Sequence, residues 1–478
     1  MPERPPATVK PRVVKGFRDI LPHQAAARRR VIETIRAAFE RYGFVPLDTP
    51  AVEYVDALLG LGEEGSKNLF RFTSPDGEEI ALRYDLTVPL ARVVAQYRDL
   101  PRPFRRYQVS PVWRADKPDP GRFREFVQFD IDSVGVPTVL ADAEIVMAMD
   151  EALCALRLDF RVRYSSRKLL NSILRWAGVP EGRSMDTMRV LDKFDKIGLE
   201  DLLRELGPGR TDASGDRIRG LGLPDPAVMK LREFYETHAV TDRAPGGGLD
   251  ALTRLFEAVP GSGEAVAELG EMERYLRIAK IPPARVGLDT SLARGLDYYT
   301  GLIFEATLSD LPRFGAIFGG GRYDGLVSRF GEEAVPATGA SIGVDRLVAA
   351  MEELGRVPKG WAVARVMMTV MDPERMPDYL ALTREVREAG IPAEIYLGDA
   401  KSLKKQFAYA DRMGIPVVLI AGSNEFEAGT VSMKELSEGR RGSEEAATRD
   451  AWVKQRSGQQ TVSRSEMIPV LKRLLEVA

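Results

Sequence analysis

Two of the usual reactive side chains are almost missing from this chain. Its 478 residues include one cysteine, Cys154, and two histidines, His23 and His238. A lone thiol excludes an internal disulfide and any cysteine-built zinc site. Cys154 sits in the helix-patterned run 141–158 and is expected to be a buried structural thiol. Two distant histidines in polar contexts give a Ser-His-Asp triad or a multi-histidine metal centre nothing to build with, so no metal site is expected. Excess charge of one sign is absent too. Against 68 Lys/Arg stand 70 Asp/Glu, a net charge of −2, which excludes nucleic-acid binding by bulk positive charge and leaves local basic patches open. No apolar run approaches the roughly 20 residues of a membrane span, and the longest near-candidate, 415–422, is strand-length. The Pro-rich, charged start (1–12) lacks the apolar core of a secretory signal. The expectation is a cytoplasmic protein with no membrane partner, whose catalysis rests on carboxylates, arginines, tyrosines and backbone donors.

What is present is ordinary for a globular chain of about three domains, with 44% hydrophobic and 29% charged residues. An amphipathic helix is expected over 25–42, stopped by Gly43, followed by an extended edge segment at 44–52 broken by Pro46 and Pro50. Residues 69–73 and 79–83 flank Pro75-Asp76-Gly77, a hairpin signal, and 104–114 with 123–134 form a second strand pair. Strands joined by hairpins imply an antiparallel sheet. The stretch 171–283 is helical and polar, and strand signals return at 285–308. A helix is expected over 344–354. After Trp361, strands (365–370, 393–397, 416–421) alternate with helices (377–388, 403–413, 467–477), an α/β pattern with a partly parallel sheet. From Ala362 onward there are 17 Lys/Arg and 17 Asp/Glu, so RNA is not held there by charge alone.

Several segments carry chemistry. Gly60-Leu61-Gly62-Glu63-Glu64-Gly65 matches a dinucleotide fingerprint, but a hairpin follows where a helix is required. The stretch 98–124 holds eight Lys/Arg against three Asp/Glu inside an aromatic hairpin; arginines at a hairpin mouth suit a polyphosphate. By period two, Arg124, Gln128, Asp130 and Asp132 share one strand face and Val127, Phe129 and Ile131 the other, a half-buried sheet lining a cleft. Arg294-Gly295-Leu296-Asp297-Tyr298-Tyr299 mixes polar, aromatic and glycine residues where a strand should be plain. Gly319-Gly320-Gly321-Arg322-Tyr323-Asp324-Gly325 reads as a tight turn or a close approach of backbone to ligand. Gly339 to Arg346 is a small-residue strand running into a helix, with an arginine in the first turn that makes sense facing an anionic or π-rich ligand.

Together these segments resemble the class II aminoacyl-tRNA synthetases, and within them the histidyl-tRNA synthetases. Residues 25–50 look like motif 1, 104–134 like motif 2 and 339–346 like motif 3. The segments 294–299 and 320–325 resemble the two histidine-specific stretches. The resemblance implies an α+β fold: an antiparallel catalytic sheet flanked by helices (1–170 and 284–360), a helical insertion (171–283) and a C-terminal α/β anticodon-binding domain (361–478). It implies a homodimer acting on L-histidine, ATP with Mg2+, and tRNA(His). Arg294 and Arg114 would be catalytic, with Arg114, Asp116, Arg122 and Arg346 binding ATP. Asp85, Thr87 and Gln128 would hold the α-amino group, Asp132 and Tyr299 the imidazole, and Arg294, Tyr298 and Tyr323 would complete the histidine site. Asp85 and Asp132 stand where many bacterial members carry glutamate, a departure that resembles a second variety of the family. A rival resemblance is the synthetase-like regulatory subunit of histidine biosynthesis, which lacks the anticodon domain.

Overall fold

The computed structural model describes residues 10–59, 68–117, 123–212, 215–238, 247–293, 298–357, 362–398, 402–436 and 459–475. The chain forms two compact units, one of residues 1–19 and 28–354, the other of residues 20–27 and 355–478.

The first unit is built on an eight-stranded sheet. In chain order its strands are β1 (Val45–Pro46), β2 (Phe104–Trp113), β3 (Glu125–Val134), β4 (Phe160–Ser166), β5 (Val286–Leu288), β6 (Leu302–Leu308), β7 (Ala316–Arg322) and β8 (Ala337–Gly343). They lie side by side as β1-β2-β3-β8-β7-β6-β4-β5. The interior pairings are antiparallel, as hairpin connections require; the outermost pairs, β1 with β2 and β5 with β4, are parallel. The second hairpin, Arg71–Thr73 with Glu79–Leu82, pairs as expected and joins Val52–Tyr54 in a small antiparallel sheet.

Register sorts the large sheet into two faces. Tyr107, Ile131, Ala340, Gly320, Phe304 and Tyr164 stand in turn opposite one another along one row, and Phe129, Ile342, Phe318, Ala306 and Val162 along another. All are buried. Residues 28–41 of the helix Pro22–Arg41 and the helix Val139–Ala155 cover this apolar face; the Phe39 ring meets Phe129 edge-on at 5.1 Å. The stretch between β4 and β5 is mainly helical (Arg167–Ala177, Ser184–Leu191, Phe194–Leu206, Asp225–Glu233, Ser262–Ile278), with an unforeseen two-stranded ribbon of Gly209–Thr211 and Arg217–Arg219.

Three expectations are corrected. Cys154 is exposed, not buried. It falls in the last turn of Val139–Ala155, a helix that turns Ile145, Val146, Met149, Ala152 and Leu153 inward and leaves position 154 on the outer side. In the segment 319–325 the turn is confined to Asp324-Gly325, and Gly319-Gly320-Gly321 belong to β7. The polar face of β3 is not a half-open surface: Gln128, Asp130 and Asp132 are all buried, as is Phe129 on the other face.

The second unit carries a five-stranded sheet in the order Ala393–Ile395, Val366–Met368, Val417–Ile420, Thr430–Glu435, Gln459–Ser463. The first two pairings are parallel and the last two antiparallel. Helices Met376–Glu388, Leu403–Met413 and Arg464–Leu474 cover it, so alternate residues feed separate cores, Val366 and Leu419 into one, Met367 and Val418 into the other. Thr430–Glu435 and Gln459–Ser463 were not anticipated. Ser463 is the N-cap of the last helix, but its hydroxyl pairs with that of Ser465 at 2.9 Å instead of capping. No helix among the described residues is long and apolar enough to cross a membrane.

Candidate active site

The other face of the large sheet is polar, and the same register builds it. Arg106 stands opposite Asp132, which stands opposite Gly339, and Gly339 opposite Gly321. In the next row are Gln108, Asp130, Ser341 and Gly319; beyond that, Ser110, Gln128 and Gly343. At about 3.4 Å per residue, the Asp132 row and the Gln128 row are about 14 Å apart along the strands. Glycines keep the floor low beside Asp132. A Cβ on Gly339 would fall on Asp132 Oδ1, and one on Gly321 would come within 3.0 Å of the Tyr299 ring.

The segment 83–88 lies across this face and is stitched to β2 by arginines. Arg83 donates to Pro111 O (2.9 Å) and Thr49 O (2.7 Å), Arg114 Nε to Tyr84 O (3.2 Å) and Arg106 Nη2 to Leu86 O (3.0 Å). That brings Asp85 and Thr87 to the same surface. Asp85 Oδ1 accepts the Val88 N–H at 3.0 Å, a donor in the first turn of the helix Thr87–Gln96. The Arg114 guanidinium lies between two rings, 4.2 Å from Tyr84 and 5.3 Å from Phe126.

At the Asp132 end of this face, the carboxylate accepts from the Tyr323 hydroxyl and pairs with Arg106 Nη2 at 2.7 Å. The Tyr298 ring packs edge-on against Tyr299 at 4.9 Å and Tyr323 at 6.0 Å. At the other end, Gln128 Nε2 donates to Ser341 Oγ (2.8 Å) and Arg346 Nη1 to Ala316 O (2.7 Å). Neighbouring Asp345 accepts the Val127 N–H (2.7 Å) and Arg18 (2.8 Å), which fixes the first turn of the helix Val344–Glu353 to β3. Asp116 accepts from Asn68 Nδ2 at 2.8 Å.

Burial dominates the electrostatics. It pushes the Asp85 carboxyl up, and pushes Asp130 up to about 7, opposed by Arg106 and aided by Asp132. Asp132 is raised by burial too, while Arg106 and the Tyr323 hydroxyl pull it back. Asp85 Oδ2, Arg106 Nε and Nη1, Gln108 Oε1 and Gln128 Oε1 are buried without a protein partner. Orphaned polar atoms gathered on one face mark a place for a polar ligand.

The face therefore gathers Asp85, Thr87, Arg114, Gln128, Asp132 and Tyr323, with Tyr298 and Tyr299 beside it. Arg122 and Arg294, with Gly60–Gly65 and Gly295–Asp297, lie outside the described residues. Arg322, next to Tyr323, turns the other way and donates to Asp142 Oδ2 (Nε, 3.1 Å) and Val136 O (3.0 Å), a structural role. Sequence reasoning missed Arg106. The signal was available: it shares the period-two face of Gln108 and Ser110, and the hairpin sets it across from Asp132.

An antiparallel sheet with one helix-covered apolar face and one arginine- and carboxylate-bearing polar face, followed in the chain by an α/β unit, is the architecture of the class II aminoacyl-tRNA synthetases. The family profile of Histidyl-tRNA synthetase matches residues 16–347, and that of the Anticodon binding domain matches 364–474. The chain belongs to the histidyl-tRNA synthetase family. It is 40% identical to the histidine–tRNA ligase of Caulobacter vibrioides over 491 residues, covering 99% of each chain. It is 42% identical to that of Paracoccus denitrificans over 483 residues, covering 96% of this chain and 97% of the other. The crystal structure of histidyl-tRNA synthetase from Nostoc sp. PCC 7120 superposes with a TM-score of 0.81 at 30% identity, over 98% of this chain and 100% of that one.

Proposed function

We propose that the chain is a histidine–tRNA ligase working in two steps. A carboxylate oxygen of histidine attacks the α-phosphorus of MgATP, forming histidyl-adenylate and releasing pyrophosphate. A hydroxyl of the 3′-terminal ribose of tRNA(His) then attacks the activated carbonyl, and AMP leaves. The observation that carries this reading is the run of polar groups along one sheet face, from Asp132 and Tyr323 through Asp85 to Arg114 and Arg346. It suits a ligand with an imidazole at one end and a phosphate at the other.

In this reading Asp132 accepts the imidazole N–H and Tyr299 donates to the other ring nitrogen, with Tyr298 and Tyr323 as walls. Asp85, Thr87 and Gln128 bind the α-ammonium, whose charge would draw the Asp85 carboxyl back toward its ionised form. Arg114 binds the α-phosphate, Arg346 the ATP tail and adenine face, and Asp116 and Arg122 belong to the ATP side; Mg2+ arrives with ATP. Arg294 stabilises charge at the α-phosphate. Positioning and charge stabilisation suffice for phosphoryl attack without a nucleophilic side chain. A site bonding both ring nitrogens rejects other amino acids by about 10⁴–10⁵, so no editing domain is needed.

The remaining assignments follow from the same reading. Residues 1–170 and 284–360 form the catalytic part, 171–283 an insertion, and 361–478 the anticodon-binding domain. The enzyme is a cytoplasmic homodimer. Support for the dimer comes from Tyr54 and Phe72, which flank Ile80 in the small sheet and are exposed, as is Val45 on the edge strand. A regulatory-subunit reading is disfavoured by the anticodon-domain match over 364–474. The test is ATP–pyrophosphate exchange with each of the twenty amino acids. Histidine alone should drive it, and Arg294→Ala should lower its turnover roughly 10²–10³-fold, the scale of one lost preorganised donor. Exchange driven by another amino acid would reject the assignment.

A further inference from the structure

Arg106 is the largest of the fully buried side chains among the described residues. A buried guanidinium is costly unless paired and hydrogen-bonded. Here one nitrogen, Nη2, does two things at once: it lies 2.7 Å from Asp132 Oδ2 and donates to Leu86 O at 3.0 Å. The first contact belongs to the imidazole end of the site. The second belongs to the backbone between Asp85 and Thr87, the amine end. Nε and Nη1 are buried on the same face without a protein partner.

The surroundings show why a cation is needed there. Three buried carboxylates, Asp85, Asp130 and Asp132, share this face, and Arg106 makes the only ion pair to any of them among the described residues. A buried carboxyl without a counter-charge takes up a proton instead of ionising. A protonated Asp132 would present an O–H toward the ring, and Tyr323 already directs its hydroxyl proton at Oδ1. An imidazole N–H would then lose its acceptor.

We propose that Arg106 is a positioning residue for histidine recognition: it holds Asp132 as an oriented carboxylate and ties it to the Asp85–Thr87 segment. The proposal rests on the reading of Asp132 as the imidazole acceptor. Through one guanidinium, the two ends of the amino-acid pocket are held in register.

Because the readout is a pH dependence, every facing ionisable group counts. Asp130 comes from β3; Asp85 and, toward Asp130, Arg83 come from the strapped segment. Tyr298, Tyr299 and Tyr323 line the wall, and Arg114 and Arg329 act on Asp85. Removing Arg106 lets burial and the neighbouring carboxylates push Asp132 further up, so histidine binding should become weak at neutral pH and recover as pH rises.

The experiment measures the KM of histidine and of ATP in pyrophosphate exchange from pH 6 to 9 for the parent, Arg106→Met, Arg106→Lys and Asp132→Asn. Arg106→Met should raise the histidine KM roughly 10- to 150-fold at pH 7, the range for a lost hydrogen bond to a charged group. ATP's KM should stay unchanged, and the deficit should shrink toward pH 9. Arg106→Lys keeps the cation but loses the fork. It should keep the parent's pH profile while binding histidine more weakly, and it serves as the folded reference if the Met variant does not fold. A pH profile in the Lys variant displaced upward would overturn the charge-holding role. So would equal losses for histidine and ATP in Arg106→Met, or no loss. Asp132→Asn separates the two levels. If it leaves histidine's KM alone, the imidazole reading itself fails; if it raises that KM while Arg106→Met does not, only the role of Arg106 fails.

Discussion

Gly339 does more for the site than most of the polar residues around it. It has no chemistry, yet the Asp132 carboxylate occupies the space its Cβ would fill, and Ile131 O lies 2.6 Å from that point. Gly339→Ala should push Asp132 aside, at a strain of about 1–3 kcal/mol in melting experiments. Its histidine KM in pyrophosphate exchange should rise about 5- to 150-fold if the imidazole loses its acceptor. A variant with parental KM would show that Asp132 has room to move. Asp130 offers a second test at this scale. Its carboxyl is pushed up to about 7 by burial, above its unfolded value, so the folded state holds a proton that the unfolded state has released between about pH 4 and 7. Stability from this group is therefore present below pH 4 and lost as pH rises through 7. Asp130→Asn removes that loss, and its melting temperature relative to the parent should climb from pH 4 to pH 8. A constant difference across that range would mean Asp130 titrates normally.

At the scale of elements, β3 shows how one strand serves two purposes. Its odd-numbered residues Phe129 and Ile131 pack under residues 28–41 of the helix Pro22–Arg41 and under the helix Val139–Ala155, while Gln128, Asp130 and Asp132 line the site. A register slip of one residue would exchange the faces, burying carboxylates against Phe39, so core packing and site geometry are specified together. The hairpin and its facing were legible because period-two alternation is local. That Ser341 and Gly339 complete the same rows was not legible, because they are about 200 residues away and reach β3 only through the sheet order. The small sheet invites its own experiment. Phe72 is exposed on the strand beside Ile80, and a charge there should disfavour burial against a second copy. Phe72→Asp should lower the sedimentation mass from two chains toward one. An unchanged two-chain mass would place the contact of the proposed dimer elsewhere, and a one-chain mass in the parent would reject the dimer.

For the whole molecule, two units with separate cores imply separable contributions. Ending the chain near Trp361 should leave histidine activation at least partly intact while tRNA charging collapses, because anticodon contacts are lost. With 17 charges of each sign from Ala362 onward, those contacts must be few and directed. Full charging by the shortened chain, read as histidyl-tRNA formed per enzyme, would remove the anticodon role from 361–478. Alone, the sequence determined what depends on neighbours along the chain: helix and strand periods, the hairpins, the strand–helix alternation of the second unit, and the motifs that resemble the family. Tertiary structure decided what depends on partners far apart in number. It buried the polar face of β3, turned Cys154 outward, and drew the Gly319–Gly321 stretch straight as a strand. It also set Arg106 against Asp132 and Leu86. The physical reason is that side-chain alternation repeats within a few residues, whereas burial and ion pairing are set by whichever strand or segment the fold lays alongside.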